Sequence, residues 1–103
     1  MTPDEFVSRI QEALAADKRS RALDLIFDTI ENLLLAQAFG EAEACLQALI
    51  RSKPPLPCIL AALTVIKPWR QELRTVRADL IAVVLAIPPE ELRDDLLGHL
   101  LEP

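Results

Sequence analysis

Residues 22–49 read ALDLIFDTIENLLLAQAFGEAEACLQAL, and their apolar side chains recur with the period of an α-helix. The first half predicts a helix from about Ser20 to about Ala38. Phe39-Gly40 predicts a tight break, and a second helix is expected from there to about Arg51. The expected buried positions of the two helices are Leu23, Ile26, Phe27, Ile30, Leu33 and Leu34 in the first, and Ala42, Cys45, Leu46, Leu49 and Ile50 in the second.

The helical pattern continues to both ends of the chain. A first helix is expected to begin after Thr2, which is followed by a proline and two acids, as in a capping box. The segments 57–66 and 68–86 predict a fourth and a fifth helix, with Trp69 as the main buried aromatic residue, and a sixth helix is expected from Pro89. Two glycines, no tyrosine and no alternating β-branched pattern disfavour strands. The predicted fold is therefore a single all-α domain over residues 1–103, with five or six antiparallel helices stacked as helical hairpins in an array or a compact bundle.

The composition is typical of a soluble globular protein in a reducing compartment. Hydrophobic residues make up 51% of the chain and charged residues 26%. The acidic N-terminus lacks the apolar core of a signal peptide, and the uncharged helical run Leu56–Ile66 is too short to span a bilayer. Cys45 and Cys58 are expected to be small buried hydrophobic residues, with a disulfide between them the less favoured alternative. We expect a cytoplasmic protein.

Catalytic and metal chemistry have little support in these residues. His99 is the only histidine, and it lies near the chain end with no evident partner that would make it a general base. The three serines fall at predicted helix surfaces or boundaries rather than in a nucleophile turn. Asp24, Asp28 and Glu31 share one helix face, but a single face supplies too few oxygen ligands for a hard cation. We therefore expect no enzyme, no metal site and no cofactor.

A weak internal repeat accompanies the helical pattern. An offset of 34 residues relates Pro54 to Pro88 and matches five apolar pairs, which are Phe39 with Leu73, Ala42 with Val76, Leu46 with Leu80, Leu49 with Val83 and Ile50 with Val84. The stretch AFGEAEACLQALIRSKP resembles the second helix and closing proline of a tetratricopeptide-type hairpin, with Ala42 at the small-residue position and Pro54 at the terminal proline.

The tetratricopeptide resemblance covers about half of the chain, and some positions depart from it. Ile30 stands where the first helix should carry a small residue, Leu49 replaces an alanine, and Lys67-Pro68 interrupts the second unit. The resemblance implies stacked helical hairpins and a protein-binding surface. Residues 22–49 are also similar to short bacterial proteins of unassigned function, which implies a bacterial origin.

Charge is distributed unevenly along the chain, whose net charge is −5. Residues 1–50 hold nine acids and four bases, residues 51–78 one acid and six bases, and residues 79–103 six acids and one base. On a helical wheel, Arg70, Arg74 and Arg77 fall within about 60° of each other. Ile81 and Leu85 lie on the same side.

Three interpretations of these arginines remain open. They could neutralise acids of the same fold, such as Asp24, Asp28 and Glu31 or the acids of the predicted sixth helix, although exposed ion pairs contribute only about 0–1 kcal/mol each. Arginine mixed with aliphatic residues is instead typical of a protein interface. Phosphate binding is the third, although the acidic balance of the chain disfavours it.

We expect a small protein–protein interaction module that binds another protein or itself, with a homodimer among the expectations and no membrane contact. Its predicted partner-binding residues are Arg70, Arg74, Arg77, Ile81 and Leu85, with Leu25 and Leu35 as a second apolar candidate. Surplus apolar positions beyond the core stripes motivate this choice. A nucleic-acid-associated regulator that uses the basic face of the fifth helix is the alternative.

Overall fold

A computed structural model of the chain describes residues 2–88, which form five α-helices joined by turns. The predicted all-α class is confirmed. The helices are α1 (Pro3–Ala15), α2 (Arg19–Leu35), α3 (Phe39–Arg51), α4 (Leu56–Ile66) and α5 (Arg74–Leu85). The predicted sixth helix and His99 lie outside the described residues.

Short polar or proline-containing signals set the helix boundaries that the sequence predicts best. The Thr2 hydroxyl oxygen accepts a hydrogen bond of 3.2 Å from the Glu5 backbone N–H, which caps α1. Pro55 precedes α4, and Pro57 lies in its first turn, where the missing N–H costs no intrahelical bond. These residues fix where α1 and α4 begin.

The connection between α2 and α3 differs from the predicted Phe39-Gly40 break. The helix α3 begins at Phe39, so Gly40 lies inside its first turn, and α2 ends three residues earlier than expected. Gln37 adopts a left-handed backbone with φ of 59°. The Ala38 N–H then donates a hydrogen bond to the Leu33 carbonyl at 2.8 Å. Gln37 therefore occupies the left-handed position at the end of α2 where glycine is the usual residue.

The fifth helix is shorter than predicted because Pro68 interrupts the chain. Lys67–Trp69 forms a single 3-10 turn, residues 70–73 form a further turn, and α5 begins only at Arg74. Proline cannot donate the hydrogen bond that would continue α4. Trp69 is half-buried and packs against the core rather than filling it, so the prediction of a buried anchor was wrong. The fully buried aromatic residue is Phe6, which is 1% exposed.

The helices pack in two sets of neighbours around one core. Among the described elements, α1 packs against α2 and α3, and α3 packs in turn against α5. On the other side, α2 packs against α4, and α4 against α5. Seven of the eleven residues of α4 are buried, so most of this helix lies in the core.

A repeat of 36 residues relates the first two helices to the next two. The helices α1 and α3 both have 13 residues, and α3 begins 36 positions after α1. Buried positions correspond at this offset in both helix pairs: Phe6 with Ala42, Ile10 with Leu46, Ala13 with Leu49, Ala22 with Cys58, Ile26 with Ala62 and Ile30 with Ile66. The predicted offset of 34 relates only α3 to α5, because α4 ends at Ile66 before Pro68 and α5 begins at Arg74, 35 positions after the start of α3.

Candidate protein-binding surface

The predicted partner-binding residues of α5 form one exposed row, which we call the arginine stripe. It comprises Arg74, Arg77, Ile81 and Leu85, which fall within about 80° on a helix with 100° per residue. Both arginines are exposed and Ile81 is half-buried. Leu85 is 76% exposed, the most exposed large hydrophobic residue among residues 2–88. The combination of an exposed leucine with two neighbouring arginines is typical of the residues at the centre of a protein interface.

Arg70 lies outside α5, contrary to the helical-wheel prediction. It is exposed in the turn that follows the 3-10 segment, four residues before the start of the helix. The Leu73 N–H donates to the Trp69 carbonyl at 3.0 Å in this turn. Arg70 therefore extends the arginine stripe toward the N-terminal end of α5 without sharing its helical geometry.

A hydrogen bond on the opposite side of α5 orients the arginine stripe. The Gln47 side-chain amide of α3 donates to the Asp79 carboxylate at 2.7 Å, and the bond is partly buried. Val76 and Leu80 of α5 are completely buried in the core. Because α5 is held at both of these faces, Arg74 and Arg77 are directed away from the core.

A row of acidic residues lies on the exposed face of α2, and we call it the acidic stripe. It comprises Asp24, Asp28, Glu31 and Leu35, which fall within about 60° on the helical wheel. The three acids are exposed, and Leu35 is 66% exposed. This stripe lies opposite the buried face of α2. Since α5 packs against α3 and α4, the two stripes do not face each other within one chain.

Leu25, the other residue of the second apolar candidate, is separate from Leu35. It is half-buried and packs against the core. It lies about 80° from Leu35 around α2 and ten residues earlier, so the two leucines do not form one patch. Leu25 instead lines a cleft between α1 and the start of α2.

This cleft is a basic site that the sequence analysis missed. It has a volume of about 550 Å³, and its charged lining residues are Arg9, Glu12, Lys18 and Arg21. Counting charge over residues 1–50 concealed it, because the nine acids of that segment outweigh its four bases. The run of Lys18, Arg19 and Arg21 was the signal that could have revealed it.

Both cysteines are free thiols buried in the core, one on α3 and one on α4. Burial raises the pKa of the Cys45 thiol and that of the Cys58 thiol, because the thiolate is poorly solvated there. A raised pKa opposes nucleophilic chemistry, which requires the thiolate. Within residues 2–88, no group of three His, Cys, Asp or Glu side chains could hold a metal ion.

Comparison with known proteins adds no relative. The chain matches no protein-family model, and no curated protein or solved structure is significantly similar to it. In the described part of the chain, no helix combines the length and the apolar character needed to cross a membrane.

Proposed function

We propose that this chain is a small protein–protein interaction module of the cytoplasm, with no catalytic centre, that binds a partner protein through the arginine stripe and the adjacent Arg70. The observation that carries the proposal is the exposure of Leu85 on the same face of α5 as two outward-directed arginines. Leaving such an apolar side chain in water forgoes burial energy that a partner would recover.

The packing of the helices supports the proposal that they are stacked as tetratricopeptide-like hairpins. Each described helix packs against a neighbour two positions along the chain, as in stacked-hairpin arrays. The buried positions repeat after 36 residues, near the period of such units. Arrays of this kind present extended surfaces for binding other proteins.

A capture experiment tests the proposed surface. The wild-type chain is immobilised and proteins retained from a bacterial lysate are compared with those retained by Arg74→Glu and by Leu85→Glu. Retention should fall for both variants, because one places like charge against an acidic partner and the other removes the apolar contact. The matched controls are Arg9→Glu, the same charge reversal on α1, and Thr75→Glu, an exposed position of α5 away from the stripe. Equal retention by all five chains would show that the stripe is not the binding surface.

The same set of chains separates protein binding from the nucleic-acid alternative. A chain that binds phosphates through Arg70, Arg74 and Arg77 should bind a DNA or RNA duplex at low salt and lose affinity steeply as salt rises. Leu85→Glu should weaken protein capture strongly, since its contact is apolar. Duplex binding that depends on the arginines but not on Leu85 would favour the alternative.

A further inference from the structure

Three residues of the arginine stripe and three of the acidic stripe have the same spacing, and their charged members have opposite charge. Asp28, Glu31 and Leu35 occupy positions i, i+3 and i+7 of their row. In α5 the same positions hold Arg74, Arg77 and Ile81. Each stripe extends over twelve residues, or about 17 Å of helix between its first and last residues. Each of these residues of α2 therefore corresponds to the residue 46 positions later in α5. The two acids correspond to the two arginines, and Leu35 corresponds to Ile81.

We propose that the partner of the arginine stripe is the acidic stripe of a second copy of this chain. This inference rests on the proposed function, because it names the occupant of the surface proposed there. The charge complementarity is specific in direction. It is satisfied when α2 of one copy lies parallel to α5 of the other, whereas an antiparallel arrangement would place Leu85 against Asp24 or Asp28.

The local electrostatics of both helices support a charged occupant. Arg74 and Arg77 lie in the first turns of α5, where the helix dipole disfavours cations. Glu31 lies near the C-terminal end of α2, where the dipole disfavours an acid, and α2 has no basic residue in its last turn. Arg74 is therefore unfavourably placed in the isolated chain, and the acids of a second copy would offset this effect.

The geometry of the contact predicts how the chains associate. The two stripes lie on different helices of each chain. Association can therefore close as a two-fold dimer, in which each stripe faces its complement on the other copy, or continue head to tail until a ring closes. Exposed ion pairs contribute little affinity and are screened by salt, so they set the register while Leu35 and Ile81 supply the apolar contact. In this register Leu85 lies one turn beyond Leu35, past the end of α2. We expect weak association that increases with protein concentration and decreases with salt.

Charge reversal with restoration tests this proposal in the full chain. Sedimentation equilibrium is measured over a range of concentrations at about 0.02 M and about 0.5 M salt. The wild-type mass should rise with concentration at low salt and less so at high salt. Arg74→Glu/Arg77→Glu and Asp28→Arg/Glu31→Arg should each weaken association at least about tenfold, because like charges then face each other. All four residues are exposed, and the α5 reversal also agrees with the helix dipole, so both variants should fold, which circular dichroism checks.

The four-fold variant, in which both stripes are reversed, is the decisive chain. Its charges are complementary again, so its association should return toward that of the wild type. An equimolar mixture of the two double variants should also associate, since each supplies the complement of the other.

The proposal is overturned if the folded four-fold variant stays monomeric while the wild type associates. It is also overturned if only the α5 reversal matters, since the occupant is then another acidic segment. A wild-type chain that is monomeric at low salt up to about 1 mM likewise removes self-association. That last result leaves the proposed function intact, because stripe-dependent capture of a different protein is measured independently.

Discussion

At the scale of single residues, three helix ends depend on left-handed backbone conformations without using glycine. Asp17, Gln37 and Lys53 have φ of 58°, 59° and 52°. Aspartate tolerates this region because its short side chain can bond locally, whereas glutamine has no such compensation. Both glycines of the chain lie elsewhere, and Gly40 is inside a helix. Gln37 is therefore a site of local strain that glycine would relieve.

Replacing Gln37 with glycine should stabilise the chain. Relief of the left-handed strain, about 1–2 kcal/mol, exceeds the extra entropy that glycine brings to the unfolded state, about 0.4–1 kcal/mol, so the net gain should be about 0.5–1 kcal/mol. Urea unfolding followed by circular dichroism measures this free energy. The matched control is Gln11→Gly, the same replacement in the middle of α1, which should destabilise by about 1 kcal/mol. Destabilisation by both variants would show that Gln37 is not strained.

At the scale of helices, one side of α5 is firmly packed, whereas the residues on its exposed side do not stabilise the helix. Val76 and Leu80 are completely buried, and Asp79 is bonded to α3. The opposite side exposes Leu85 and places Arg74 at the first helical position. Features that violate local preferences without an internal compensation are expected at functional surfaces.

Reversing Arg74 to glutamate should therefore stabilise the isolated chain while it weakens association. A carboxylate at the start of a helix interacts favourably with the dipole, so the expected gain is about 0.5 kcal/mol at low salt and less at high salt. Urea unfolding at a concentration where the chain is monomeric measures it. Arg51→Glu is the control, because Arg51 lies in the last turn of α3, where the same reversal should destabilise. A loss of stability in Arg74→Glu would mean that Arg74 contributes to the fold.

At the scale of the whole molecule, the sequence predicted what local signals encode. The all-α class and four of the five described helices could be predicted from local signals. These signals include the helical period around Ile26 and Leu46 and the prolines around α4. The same reasoning identified Leu35 and Leu85 as surplus apolar positions, and both are exposed. Local patterns specify which face of a helix is buried, because burial follows the helical period.

Features that depend on the packing of distant segments were not predictable from these patterns. The bond between Gln47 and Asp79 joins residues 32 positions apart. The basic cleft is lined by both Arg9 of α1 and Arg21 of α2. The two arginines line one cleft only because the turn between α1 and α2 brings the helices together. The 36-residue repeat was missed because it conserves burial rather than residue type, as in Phe6 and Ala42.

The two thiols give the molecule a pH-dependent stability that reports on the integrity of its core. Burial raises the pKa of Cys45 and Cys58 above the ordinary value of 9.0. An unfolded chain loses these protons near that value, while the folded chain retains them until the pH passes the raised pKa. The stabilising effect of the protonated thiols is therefore complete below about pH 9 and is lost as the pH rises through the folded-state pKa.

We expect the urea midpoint of the wild type to fall between pH 8 and pH 10. The variant Cys45→Ala/Cys58→Ala is the control, and its midpoint, although lower at pH 8, should fall less over this range because it lacks the buried thiols. The same burial should protect both thiols from a disulfide reagent at pH 8 until the chain unfolds, since only an exposed thiolate reacts. Rapid labelling of Cys45 or Cys58 in the folded chain would contradict the packing of α3 or α4, respectively, against its neighbours. An identical pH dependence in the two chains would show that the thiols do not contribute to it.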